Sequence, residues 1–175
     1  MDLGKGADNF ESNKEKPAVN TVIKSAISVA KIGDIYYETL DNAFLAVASK
    51  SGDVILDIIN DVDLKLEPWG FDLKTYSSIT SLTINGNNHK IDNLYCRTAA
   101  TNDPKGAPQS GASNYYGTGF IQRVASNQTL TINNLTFDEA KIDDSGMAVS
   151  RAHNTSGVGV VVGFAYGKVN LDNVK

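Results

Sequence analysis

Cysteine is nearly absent from this sequence: Cys96 is the single one in 175 residues. One thiol excludes an internal disulfide framework and a cysteine-based zinc cluster, and its simplest role is that of a small buried hydrophobe. Basic clusters are missing too. Lys and Arg number 16 against 20 Asp and Glu, the formal net charge is -4, and no basic run carries interleaved aromatics. A nucleic-acid partner is therefore not expected. The longest apolar stretch, 158–166, is broken by glycines and falls far short of the roughly 20 residues a membrane-spanning helix needs. The opening Met1-Asp2-Leu3-Gly4-Lys5-Gly6 has no apolar run after its charges, so no export signal is visible there. That absence leaves an extracellular location open, because such signals are removed from mature chains. No metal or cofactor is implied, since no acidic set has the glycine-punctuated ligand spacing of a calcium loop.

What is present suits one folded unit, with 41% hydrophobic residues able to form a continuous core. Residues 1–20 are polar, charged and without apolar period, which reads as a flexible leader before a domain over 21–175. Ile35-Tyr36-Tyr37 suits a short strand after a Gly33-Asp34 turn. Leu40, Ala43, Phe44 and Val47 fall at i, i+3, i+4 and i+7 behind Thr39, a capping residue. This spacing predicts a helix over about 39–49 whose apolar stripe covers the open end of a sheet. The apolar run 54–59 and the alternation 62–66 predict strands. Asn85-Gly86-Asn87-Asn88 reads as a tight left-handed corner between a strand ending at Ile84 and the alternation that starts at His89. The stretch 98–116, rich in Gly, Ser, Asn and Pro, reads as a long loop.

Two markers recur. Ile91-Asp92-Asn93-Leu94, Ile132-Asn133-Asn134-Leu135 and Leu171-Asp172-Asn173-Val174 share one pattern at steps of 41 and 39 residues, and Gly117-Thr118-Gly119 returns as Gly157-Val158-Gly159 after 40. A common period near 40 points to a repeat architecture. Stacked turns of parallel strands fit it, with Gly and Asn at the corners and Asn93, Asn134 and Asn173 as an asparagine ladder along one of them. An antiparallel sandwich of short strands is the competing architecture.

The phrase Leu82-Thr83-Ile84-Asn85-Gly86-Asn87-Asn88-His89-Lys90-Ile91-Asp92-Asn93-Leu94 resembles the opening of many right-handed β-helix domains of bacterial surface proteins. Residues 117–137 and 157–174 are similar to the GLUG-type repeats of such proteins, and 31–37 with the helix resembles their N-terminal capping segment. The resemblance implies an all-β, right-handed parallel β-helix, or solenoid, of the pectate-lyase-like kind. It also implies an N-terminal capping helix and an extracellular or cell-surface setting. Some members of that family are adhesins or stalks and others degrade polysaccharides, so the fold alone does not choose a function.

A lyase on such a scaffold needs a base and carboxylates. Asp57, Asp61 and Asp63 alternate as outward strand residues do. Asp143 and Asp144 with Arg151 and His153 are the catalytic candidates of an enzymatic reading, polysaccharide lyase or glycoside hydrolase, although Asp143-Asp144-Ser145-Gly146 reads first as a turn. Trp69, Tyr115 and Tyr116 are the candidate ligand contacts, because aromatic faces in or beside loops suit sugar rings or a protein partner. The expectation is a non-enzymatic, adhesin-like or structural module that binds a glycan or a surface protein. Lys175 follows a strand phrase with no capping segment after it, which is expected of a truncated part of a longer solenoid or of an edge that associates with another copy.

Overall fold

The structure, a computed structural model, describes residues 27–97, 115–143 and 155–175. The chain first forms a hairpin of β1 (Ala30–Ile32) and β2 (Ile35–Tyr37), turning on Gly33 at φ 58°. Helix α1 (Leu40–Ala48) follows. Thr39 caps it by accepting the Asn42 N–H at 3.2 Å, and Leu40, Ala43, Phe44 and Val47 are buried, the four residues whose spacing predicts the helix.

From there the fold is all-β, and apart from the first hairpin every pairing among the described strands except β1 with β3 is parallel. Strands β3 (Gly52–Ile58), β5 (Ile79–Asn85), β10 (Thr129–Asn133) and β15 (Lys168–Asp172) lie side by side in that order, continued beyond β3 by β1 and β2. Shorter parallel sets follow: β4 (Val62–Asp63), β6 (Lys90–Asp92) and β11 (Thr136–Asp138); then β7 (Tyr95–Arg97) with β12 (Lys141–Asp143). The remaining pairs are β8 (Tyr115–Thr118) with β13 (Thr155–Val158), and β9 (Ile121–Val124) with β14 (Val162–Ala165). Successive passes of the chain thus visit the same sheets in the same order. Of 98–116, Tyr115 and Tyr116 belong to β8 and the rest lies outside the described residues, as does the leader.

Register puts like on like. Val54, Leu82, Leu130 and Val169 align, as do Leu56, Ile84, Ile132 and Leu171. Most of these side chains are fully buried, and each such aliphatic contributes roughly 1.5–3 kcal/mol. Cys96 joins this core; burial pushes its thiol up to about 12, so it is inert packing. An aromatic cluster fills the interior under α1, where Trp69 stacks on Phe120 at 5.4 Å and Phe44 meets both edge-on. Gln128, also buried, donates through Nε2 to the carbonyls of Leu73, Tyr76 and Ile79 at 3.0–3.1 Å and ties that loop to the next pass.

Two expectations are corrected. The strand over 62–66 stops at Asp63, since Lys65 and Leu66 take φ 55° and 57° while Asp63 Oδ1 accepts the Lys65 N–H at 2.8 Å. The repeat register also shifts. Ile132 pairs with Ile84, not Ile91, because Gly86 to His89 form a four-residue corner where the next pass spends only Asn134 and Leu135. Ile91-Asp92 instead lies beside Phe137-Asp138. The Gly117–Gly157 marker does pair in register.

The glycine marker has a steric cause. A Cβ on Gly117 would collide with the Gln122 carbonyl, and one on Gly163 would stand 2.6 Å from Gly117 Cα. Two backbone layers touch there with no side chain between them. Among the described residues no helix is long and apolar enough to cross a membrane.

Candidate functional site

Two surface features converge polar or aromatic groups. The first is a cleft of about 300 Å³ beside α1, lined by Asp41, Phe44, Leu45, Trp69, Phe71 and Tyr76. α1 places Asp41 and Leu45 one turn apart on its exposed side, and Leu45 is 69% exposed. The floor is aromatic: Phe71 and Tyr76 stack with centroids 5.1 Å apart, and Phe44 meets Phe71 at 4.8 Å. Phe44 and Phe71 are themselves buried, so the half-buried Tyr76 is the ring left to meet a sugar or an apolar side chain, with Leu45 and Asp41 on the rim.

Trp69 does not present its face as its sequence position suggests. The residue is 4% exposed, and its Nε1 donates to the Phe120 carbonyl at 3.1 Å. After Pro68 the chain turns inward, with Trp69 N–H bonded to the Tyr95 carbonyl, so the indole is packing and only part of the cleft wall. Tyr115 and Tyr116 open β8.

The second feature is a stacked polar strip on β4, β6 and β11. Asp63, Asp92 and Asp138 occupy equivalent positions on the three neighbouring strands. Lys90 Nζ lies 2.8 Å from Asp92 and 3.5 Å from Asp138, which offsets their repulsion and raises the lysine's own pKa. Asp61 Oδ1 accepts the Lys90 N–H at 3.1 Å and lies 3.0 Å from His89 Nδ1. These bonds, the Lys90 N–H first, hold the Asp61 carboxyl below its ordinary range; Asn93 and then the Lys65 N–H do the same for Asp63. Every member already has a protein partner, which describes a strip that holds strands together. Among the described residues no group of three or more His, Cys, Asp or Glu side chains is arranged to hold a metal ion.

No family model matches the chain, and neither a curated protein nor a solved structure matches it.

Of the catalytic candidates, Asp143 ends β12 beside Arg97 of β7 and accepts from the Tyr95 hydroxyl at 3.2 Å. Asp144, Arg151 and His153 lie outside the described residues. The asparagine ladder is real at two of its three positions: Asn173 Nδ2 donates to Asn134 Oδ1 at 2.9 Å, both with φ near 50°. Asn93 stands at another corner, where its amide bonds Asp63 at 2.9 Å and Glu139 follows it on the next pass with φ 48°. The shift of register described above is the reason. A ladder that sequence reasoning missed runs one residue earlier, from Asp57 to Asn85 at 2.9 Å and from Asn85 to Asn133 at 3.2 Å. The repeated Leu-Thr-Ile-Asn at 82–85 and 130–133 was its signal.

The acidic partners set a pH dependence. On β3, Asp53 accepts from the Ser81 hydroxyl at 2.7 Å and the Thr80 hydroxyl at 2.9 Å, so that Asp53, like Asp61 and Asp63, has a folded pKa below the ordinary 3.8. Their contribution is therefore complete above the unfolded value and is lost as pH falls through the folded values. The urea midpoint is expected to stay flat from about pH 7 to 5 and to fall below about pH 4. The double variant Asp61→Asn, Asp63→Asn should show a shallower acid limb, and an unchanged limb would assign the loss to other carboxylates.

Proposed function

We propose that the chain is a stretch of right-handed parallel β-helix, capped at one end by α1, serving as a non-enzymatic structural or adhesin-like module of a secreted or cell-surface protein. The observation that carries this reading is the like-on-like stacking of β3, β5, β10 and β15, with aliphatic rows inward and the Asp57–Asn85–Asn133 side-chain ladder outward. Parallel neighbours joined by crossovers are right-handed in nearly all proteins, and repetition of one strand set favours a stack over a sandwich. The cap reading is supported by α1, which packs against β1, β2 and β3 with its apolar stripe buried. The GLUG-like glycine phrases gain a steric rationale from the close backbone approach at Gly117 and Gly163.

Such a stack is a stiff spacer, and the α1 cleft is its contact point for a glycan or a protein side chain. The test has two arms. Incubation with acidic and neutral polysaccharides plus calcium is expected to release no unsaturated or reducing ends above buffer, and release would overturn the non-enzymatic reading. Screening on a glycan array is expected to give binding that Tyr76→Ala and Asp41→Ala weaken by about tenfold, a loss of about 1.4 kcal/mol. Binding indifferent to both substitutions would remove the cleft from the proposal.

A further inference from the structure

We propose that a cavity at the start of α1 is a receptor site for an arginine side chain presented by a partner protein. This site is additional to the Tyr76 cleft, borders it at Asp41 and Trp69, and takes its ligand whether or not that cleft is filled.

Two segments build the cavity. Residues 38–41, where the hairpin passes into α1, line one part of it, and residues 62–69, from β4 to the inward turn at Trp69, line another. The second segment bends because Lys65 and Leu66 both take left-handed backbone, at φ 55° and 57°, and the Glu67 N–H donates back to the Leu64 carbonyl at 2.9 Å. At about 270 Å³ the space is smaller than the roughly 300–1,000 Å³ of small-molecule pockets and suits one long side chain.

Its floor and its rim have opposite chemistry. Leu40, Val62 and Trp69, all buried, and the half-buried Leu64 give it an apolar lining. Around them Glu38, Asp41, Asp63 and Glu67 carry four carboxylates against the single ammonium of Lys65, and all five side chains belong to exposed residues. Asp63 is committed to the Asn93 amide and the Lys65 N–H. Glu38 and Glu67 have no side-chain hydrogen bond or ion pair among the described residues. A group that fits an apolar lining under open carboxylates is an aliphatic stem ending in a cation. Arginine fits better than lysine, because its planar fork of donors can meet two carboxylates at once while an ammonium is a compact, strongly hydrated charge. An anionic ligand would face the four carboxylates, and Asp41 in the first turn already offsets the positive end of the α1 dipole.

Nuclear magnetic resonance titration of the whole chain with N-acetyl-arginine amide tests this. Backbone amides within 38–41 and 62–69 are expected to shift along one saturable curve. N-acetyl-citrulline amide, which keeps the stem and shape without the charge, should bind about tenfold more weakly, and N-acetyl-lysine amide about threefold. The double variant Glu38→Gln, Glu67→Gln should raise the arginine Kd about tenfold. The double variant Asp34→Asn, Asp172→Asn removes as much charge from the hairpin tip and the end of β15, and should leave the Kd within about twofold of wild type. All four side chains are exposed, so both variants keep the core, and circular dichroism checks that they are folded. No saturable shift at those amides, citrulline or lysine binding as tightly as arginine, or equal losses in the two double variants would each overturn the proposal. Tighter binding of a glucosamine oligomer at the same amides would also overturn it, by assigning the site to a cationic glycan.

Discussion

Phe120→Ala is expected to lower the stability of the chain by about 3–5 kcal/mol, the range for removing a fully buried aromatic. Phe120 has no solvent exposure and joins three parts of the molecule. It stacks on Trp69, meets Phe44 of α1 at 5.6 Å and meets Phe137 at 5.1 Å. Its backbone is engaged as well, since its carbonyl accepts from Trp69 Nε1 at 3.1 Å and its N–H donates to the Val160 carbonyl at 2.9 Å. Those backbone bonds hold the neighbouring passes in place, so the walls cannot close fully over the space left by the ring. Urea unfolding measures the effect. Tyr166→Ala, at a ring 47% exposed, is the comparison and should cost under about 1 kcal/mol. A Phe120 variant as mild as the Tyr166 one would mean that the aromatic cluster does not hold α1 to the core.

Gly163→Val should be nearly as damaging by the opposite route, at about 3 kcal/mol or more. A Cβ at this position would meet the Thr118 backbone nitrogen and stand 2.6 Å from Gly117 Cα. Overpacking is tolerated when a flexible side chain can move aside, but here the obstacle is the main chain of β8. The strain must pull β14 from β9 or β13 from β8. Hydrogen exchange should accordingly show lost protection in β13 and β14 while β3 and β5 keep theirs. A stability within about 1 kcal/mol of wild type would show that the two backbone layers are free to separate.

These positions mark how far the sequence could be read. The helix was legible because Leu40, Ala43, Phe44 and Val47 repeat at a spacing only a helix uses, and Thr39 stands where a cap belongs. The strand ending near Ile84 was legible from the alternation Ser81-Leu82-Thr83-Ile84, whereas the phrase Ile132-Asn133-Asn134-Leu135 straddles the end of β10 and its corner. Left-handed corners at Asn87, Asn88, Asn134 and Asn173 followed from asparagine's tolerance of positive φ. Register was not legible. It depends on how many residues each corner spends, and the four at Gly86 to His89 against two at Asn134-Leu135 moved Asn93 to a different corner from Asn134. The candidate site suffered from the same blindness to distance in sequence. The burial of Trp69 is decided by Phe120 and Phe44, and the role of Gln128 by carbonyls about fifty residues earlier. The partly buried contact of Arg123 with Asp72, in which Nε reaches Oδ1 at 3.1 Å, also spans 51 residues.

The antiparallel hairpin at the start of the large sheet gives the molecule a polarity. β2 is a three-residue strand running against β1, and β1 in turn runs against β3, so a parallel strand arriving on that flank finds a short edge of the wrong direction. At the opposite flank β15 keeps the direction of the strands beside it and the length of β10. The hairpin flank therefore resists pairing with a further strand, because a three-residue edge offers few unpaired backbone groups.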